Sequence, residues 1–336
     1  MEIKEVLNSL SDAFAIGSEE SALNVAVDLL KPYCKITRLK GLSCIAEIKG
    51  ESEKCILIDA HIDEVGFIVT DVSENGFVTV AKCGGIDLRH LPSKRVIIHA
   101  KRKVTGVFVA TPPHLSKVDC AAEDIADIKI DTGIKNARDI ISVGDYVTYE
   151  PCFAPLLGNR VCGKALDNRA GVAALVLLAQ RLNGKKLPYT VKLLLSDAEE
   201  LGLRGAKTAV FGQDIESAVA VDVSFGDGPD IKTTECGKLG GGAMVGISPI
   251  LDRAVCTTLV NIAESYNIEY QTEVMGGKTS TNADVIAASM AGVKTGLVSI
   301  PIRNMHTNVE VLDVADVISV ADILEQYCLK GGKINA

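Results

Sequence analysis

Seven side chains, two imidazoles and five carboxylates, are of types that bind hard cations or move protons. His61 and Asp63 stand two apart in "LIDAHIDEVGF", so on an extended segment they face the same side. Imidazole is a common ligand for zinc and similar ions. A strand-end histidine beside a turn aspartate is the plainer alternative. Asp167, in "GKALDNRAG", stands just before a helical stretch. It could cap that helix, or its carboxylate could bridge two metals. Glu199 and Glu200 adjoin in "LLLSDAEELGLRGA", after the apolar run Leu193 to Leu195. Acids in a first helical turn complement the helix dipole, which would suffice for exposed groups. Behind a buried strand, desolvation makes two neighbouring charges costly. A cation on one would relieve that conflict and leave the other free to accept a proton. Asp222 interrupts the apolar run of "AVAVDVSFGDGPD", where a charge calls for a partner. His306 follows an apolar strand in "VSIPIRNMHTNVE" and could equally be a packed, hydrogen-bonded histidine.

Positioning these groups requires a framework. Residues 1–30 read as helical, with Ser18 as a cap. Residues 33–60 read as strands, "YCKITRLK", "SCIAEIKG" and "KCILIDA". From Gly66 to about Glu150 the chain gives short β-like runs broken by Gly, Pro and charged turns, without a long helical pattern. From about Arg160 helices and strands alternate through to "VADVISVADILEQYCLKG". That alternation predicts an α/β fold with a mostly parallel central sheet flanked by helices. The first strands join the same sheet, so residues 66–155 form an inserted, barrel-like β domain within an α/β domain of residues 1–65 plus 156–336. Ligands gather at the carboxyl ends of strands in such sheets, where the seven residues fall.

Composition narrows the class. The 336 residues are 47% hydrophobic, enough for an ordinary core. A formal net charge of −8 argues against nucleic acid or an anionic membrane as a partner. The ten cysteines include no CxxC pair, so a thiolate zinc knuckle is not expected. The opening "MEIKEVLNSL" mixes charges where a secretion signal needs an apolar core. The longest apolar run, Ala170 to Ala179 broken by Gly171, is too short to span a bilayer. These features predict a cytoplasmic protein. "GGGAM" lacks the order of a phosphate loop, and His90, His99 and His114 lack a site-like spacing.

The order His61, Asp167, Glu199-Glu200, Asp222, His306, with "DAHIDEVGF", "GKALDNRAG", "AEELGLRGA", "VDVSFGDGPD" and "IPIRNMHTNVEV" around it, resembles the TET-type family of dinuclear metalloaminopeptidases. That family includes glutamyl aminopeptidases and proteins labelled "cellulase M". The likeness covers most of the chain, including "CGGIDLRHLPSKRV" of the inserted region. The resemblance implies two divalent metal ions, zinc or cobalt first and manganese next. Asp167 would bridge them, His61 and Asp222 would complete one site, and Glu200 and His306 the other. Glu199 would be the general base and Asp63 would orient His61. It also implies peptide substrates and assembly of dimers into a dodecamer. The chemistry is consistent: two histidines and three carboxylates suit these ions, and a close ion pair can hold a bridging hydroxide and clamp the developing oxyanion.

Asn282 stands where the family often has Asp, and Asn308 where it often has Pro, so pocket shape and substrate preference remain open. Arg89 could favour acidic N-terminal residues from a position over a neighbouring pocket. Three rival readings stand beside the peptidase. A glycoside hydrolase needs only two carboxylates, which leaves both histidines idle. An amidohydrolase on small acylated substrates could use the same metal pair. A non-catalytic assembly protein would have no use for Glu199.

Overall fold

The strand Ser52–His61 is buried over its second half, which is why "CILIDA" reads as a continuous apolar run and not as an alternation. It lies near the centre of an eight-stranded sheet. The strand order is Lys35–Arg38, Cys44–Ile48, Tyr189–Ser196, Ser52–His61, Ser217–Phe225, Thr295–Ile302, Ala243–Ile247, Tyr270–Val274. The four middle strands are mutually parallel, and Cys44–Ile48 and Ala243–Ile247 run antiparallel to them. The computed structural model describes residues 2–17, 19–41, 43–109, 114, 124–229 and 231–332.

Alternation along the strands sorts the two faces. Ile56, Ile58, Leu193, Leu195 and Val221 pack under the helices Ile3–Asp12, Ser21–Leu30, Leu166–Leu182, Arg253–Ser265 and Val314–Leu329. Leu57, Leu194 and Ala218 pack under two short helices, Arg204–Ala209 and Ala283–Ala287. His61 and Asp222 share the parity of Leu57 and Ala218, so they belong to this thinly covered face. Ser18 lies outside the described residues. The helix Ser21–Leu30 starts after Glu20, which makes no side-chain cap bond.

After His61 the chain leaves the sheet and builds a closed barrel. Its strand order is Gly66–Val72, Phe77–Cys83, Lys129–Asp131, Lys103–Val109, Arg95–His99, Tyr146–Tyr149. Closure leaves no open edge to template aggregation. Phe67 fills the interior against Phe108 and Tyr149, at ring separations of 5.0 and 5.9 Å. A third sheet, Ala154–Pro155, Arg160–Gly163 and Glu310–Asp313, then leads back. Among the described residues no helix is long and apolar enough to cross a membrane.

A buried ion cluster fastens the first helix to the centre of the molecule. Lys164 Nζ lies 2.9 and 2.7 Å from the two oxygens of Glu64, and Arg169 lies 3.6 Å from the same carboxylate. Arg169 also donates to the carbonyls of Leu10 and Ala13, at 2.6 and 3.2 Å. Both carbonyls lie at a helix C-terminus, where cations are favoured. Glu64 is adjacent to Asp63 and Arg169 follows Asp167 by two, so the cluster anchors both segments.

The barrel also meets the α/β part directly. Phe14 stacks on His99 at a ring separation of 3.7 Å, and His99 Nε2 is 2.9 Å from Thr148 Oγ1. Burial, with Lys103 and Lys164 nearby, pushes the His99 pKa down from 6.5 to about 4. The folded form therefore favours neutral imidazole. Its contribution is present above pH 6.5 and is lost as pH falls toward 4, where the unfolded chain takes a proton that the folded chain refuses. Thermal unfolding of His99→Gln followed from pH 7 to pH 4 should show a flatter acid limb than the wild type. Parallel curves would contradict this assignment.

Candidate metal centre

Each parallel strand delivers its polar residue at or near its carboxyl end. His61 is the last residue of its strand and pairs in register with Ser196. Asp222 lies within Ser217–Phe225, opposite Ser299. Asp167 sits at the start of Leu166–Leu182, where residues 167 and 168 are not helical, and its carboxylate does not cap. Gly171 leaves room for the Asn168 side chain and for the strand beneath, since a Cβ there would meet Asn168 Oδ1 at 2.3 Å and Ala60 Cβ at 3.2 Å. Glu199 and Glu200 are in the turn before Arg204–Ala209, not in its first turn. The helix-dipole explanation for the adjacent acids therefore fails. The helix begins only after Leu203, whose φ of +59° is left-handed.

Asp167 is the hub. Its Oδ1 is 3.1 Å from His61 Nε2 and its Oδ2 is 3.2 Å from His306 Nε2. Asp222 Oδ1 lies 3.7 Å from His61 Nε2, and Glu200 Oε1 lies 3.2 Å from His306 Nε2. Two trios thus share one carboxylate. Atoms bound tetrahedrally ~2.1 Å from one ion lie roughly 3.4 Å from each other, so each histidine–carboxylate pair has the spacing of two ligands of one cation. One atom each from His61, Asp167 and Glu200 also falls within 4.8 Å of the others. Without a cation, protons hold these pairs together. Burial alone would lower the His306 pKa, yet Asp167 and Glu200 raise it to about 11. His61 is raised in the same way by Asp167, Asp222 and Asp63 against its own burial. Metal loading must therefore release protons.

The histidine nitrogens facing away are handled differently. His306 Nδ1 is 2.6 Å from the carbonyl of Gly85, which favours a proton on Nδ1 and leaves Nε2 facing Asp167 and Glu200. Asp63 Oδ1 is 3.3 Å from His61 Nδ1, but the hydrogen bonds that Asp63 accepts come from the backbone N–H groups of Glu199 and Glu200, at 3.0 and 3.1 Å. Besides its approach to His61, Asp63 pins the double-acid turn to the segment that follows the strand Ser52–His61.

Glu310 does the same for the other half of the site and went unread in the sequence. Its Oε2 accepts from the backbone N–H of Asp167 at 3.0 Å and its Oε1 from that of His306 at 2.8 Å. Burial and the nearby Asp167 raise its pKa, while the two N–H groups and His306 oppose the rise. The only sequence signal was an acid inside the apolar "NVEVL". Lys164, Arg169 and Glu64 were within quoted motifs, yet nothing in their spacing marked them as a cluster.

Asn282 is buried behind the site, not in it. Its Nδ2 donates to Asp59 Oδ2 and to Ser196 Oγ, both at 2.9 Å. An Asp there would face the Asp59 carboxylate, so the amide removes a charge conflict. The Asn308 carbonyl accepts from Cys152 Sγ. Arg89 is three-quarters exposed, and its guanidinium is engaged by Asp87 two residues earlier. His61, Asp167, Glu200, Asp222 and His306 line a cavity of about 380 Å³ that also holds Glu199, Ser224 and Glu273. A larger apolar groove of about 830 Å³ shares only Met275 with that lining and carries none of these ligands.

The sequence model of the M42 glutamyl aminopeptidases matches residues 43–323. The chain belongs to this family. M42 members are aminopeptidases, exopeptidase hydrolases, and the cluster is able to hold a metal. A putative aminopeptidase of Acetivibrio thermocellus is 30% identical over 325 residues, covering 93% of this chain and 94% of its own. The lysyl aminopeptidase of Pyrococcus furiosus is 29% identical over 303 residues, 88% and 87% of the two chains. Among solved structures, the TET1 peptidase of Pyrococcus horikoshii superposes with a TM-score of 0.86 at 29% identity, covering 98% of this chain and 100% of that one. It is described as assembling into a tetrahedron or a large octahedral shell.

The Glu310 geometry gives a test within this M42 site. Glu310→Gln leaves one of the two backbone N–H groups facing an amide donor. Zinc affinity, measured by competition with a chelating dye at pH 7, should fall about 10–100-fold. Unchanged affinity would show that Glu310 does not set the ligand geometry.

Proposed function

We propose that this chain removes N-terminal residues from peptides with the help of two divalent cations, zinc or cobalt ahead of manganese. One observation carries the reading: the two oxygens of Asp167 face two different histidines, each accompanied by a further carboxylate. In this assignment His61, Asp167 and Asp222 hold one ion, and His306, Asp167 and Glu200 hold the other. The chemistry supplied on loading is Lewis-acid activation of water and of the scissile carbonyl.

Glu199 is assigned as the general base. It lines the cavity, and Asp63 fixes its backbone beside the ligand Glu200. Burial pushes its carboxyl up to about 9, opposed by His61 and reinforced by Asp222, Glu200 and Asp167. Neutralising those three carboxylates would return it toward the range where it takes a proton from water and delivers it to the leaving amine. Asp63 is assigned to positioning, through the Glu199–Glu200 turn and its approach to His61.

We further assign residues 1–65 plus 156–336 as the catalytic domain and residues 66–155 as an inserted module that serves assembly and covers the pocket. The contact between Gly85 and His306 supports the covering role. The shells described for the similar TET1 peptidase support a homo-oligomer built from dimers, up to a dodecamer. The nine described cysteines are free thiols, which supports a cytoplasmic setting.

Glu199→Gln and Glu200→Gln should fail differently. Glu199→Gln should keep its metal content and lose about 10²–10⁴-fold in turnover. Glu200→Gln should lose part of its metal by mass spectrometry and recover activity as metal is added. The opposite pairing would swap the two roles, and full activity in both variants would remove these acids from the mechanism.

A further inference from the structure

The cavity holds one acid that has neither a metal-binding nor a proton-transfer role in the proposed function. Glu273 projects from the edge strand Tyr270–Val274 into the cavity that contains the ligands. It is held by two buried hydroxyls, Ser224 Oγ and Ser299 Oγ, the latter at 3.2 Å. Both hydroxyls donate, so the carboxylate is fixed in place with lone pairs to spare. Among the described residues, the cavity lining contains no lysine or arginine. Two bound cations would answer the ligand carboxylates, yet Glu273 would remain a half-buried anion without a cation of its own.

Its position relative to Asp222 gives the reach. Ser224 follows Asp222 by two on the same strand and so faces the same way, roughly 6.6 Å further along. A residue whose amine and carbonyl sit at the ligand cluster would extend its side chain along that line. A four-carbon stem can cover the distance with its methylenes against Met275 and Leu297, and place an ammonium at the end. An acidic side chain would instead meet Glu273 as a like charge.

We propose that Glu273 is a specificity-determining residue, and that this enzyme prefers peptides beginning with lysine or arginine. This rests on the aminopeptidase reading above. A charge-assisted hydrogen bond to the side-chain cation sets the preference. The free α-ammonium of any substrate is the other possible source of charge, and a matched panel separates the two.

The experiment is steady-state hydrolysis of Lys, Arg, norleucine, citrulline, Leu and Glu chromogenic amides by metal-loaded full-length protein. The wild type should favour Lys over norleucine and Arg over citrulline by about 10–100-fold in kcat/KM. Glu273→Gln should lose that ratio while keeping its rate on Leu, and Glu273→Lys should shift preference toward Glu. Free lysine should also raise the melting temperature of the wild type more than norleucine does, a difference absent in Glu273→Gln. Equal losses on Lys and Leu in Glu273→Gln would assign the residue to the α-ammonium and overturn the proposal. A wild type that prefers Leu or Glu would also overturn it, with the peptidase reading intact. No hydrolysis of any amide would overturn both.

Discussion

Carboxylates crowd together at Asp167, and the rest of the site is an answer to that crowding. Asp167, Asp222, Glu199 and Glu200 face one small cavity with only His61 and His306 as cationic partners in its lining. Buried like charges so close raise each other's pKa and burden the fold. The neighbouring carboxylates raise the pKa of both imidazoles against the effect of their burial. Such a site stores a demand for positive charge, and divalent cations satisfy it better than protons because one ion binds several ligands at once.

Two further acids, Asp63 and Glu310, would make the crowding worse if they also faced the cavity. Each is instead turned onto a pair of backbone N–H groups. The effect is a matching pair of clips. Asp63 ties the strand of His61 to the Glu199–Glu200 turn, and Glu310 ties Asp167 to His306. Behind them the Glu64–Lys164–Arg169 cluster anchors the same segments to the first helix. His306 illustrates how much this fixes: its φ of +61° is left-handed, its N–H is held by Glu310 and its Nδ1 faces Gly85 of the barrel. Residues from two separate parts of the chain thus set the direction of one imidazole.

The seven chemically suggestive residues were legible because a charge at the end of an apolar strand breaks the pattern around it. The strand–helix alternation was legible for a similar reason, since burial on both faces leaves continuous runs such as "CILIDA" and "KLLLS". The strand Ala243–Ile247 escaped notice because it is short and follows three glycines. The pairing order within the barrel was beyond reach: Lys129–Asp131 sits between Phe77–Cys83 and Lys103–Val109, and periodicity marks strands without naming their partners. Glu310 and Asp63 act through backbone amides, which every residue possesses, so their partners leave no trace in sequence. The Glu199–Glu200 pair was visible as acids behind a buried strand, and the turn that separates it from the following helix removes the plainer helix-dipole alternative.

The proposed chemistry requires Asp167 to lie between two cations. Anomalous diffraction from crystals soaked in zinc, recorded on both sides of the zinc absorption edge, tests this most directly. Two peaks are predicted, one among His61, Asp167 and Asp222, the other among His306, Asp167 and Glu200, about 3.5–4 Å apart. A single peak away from Asp167, or none at zinc concentrations that saturate binding in solution, would contradict it.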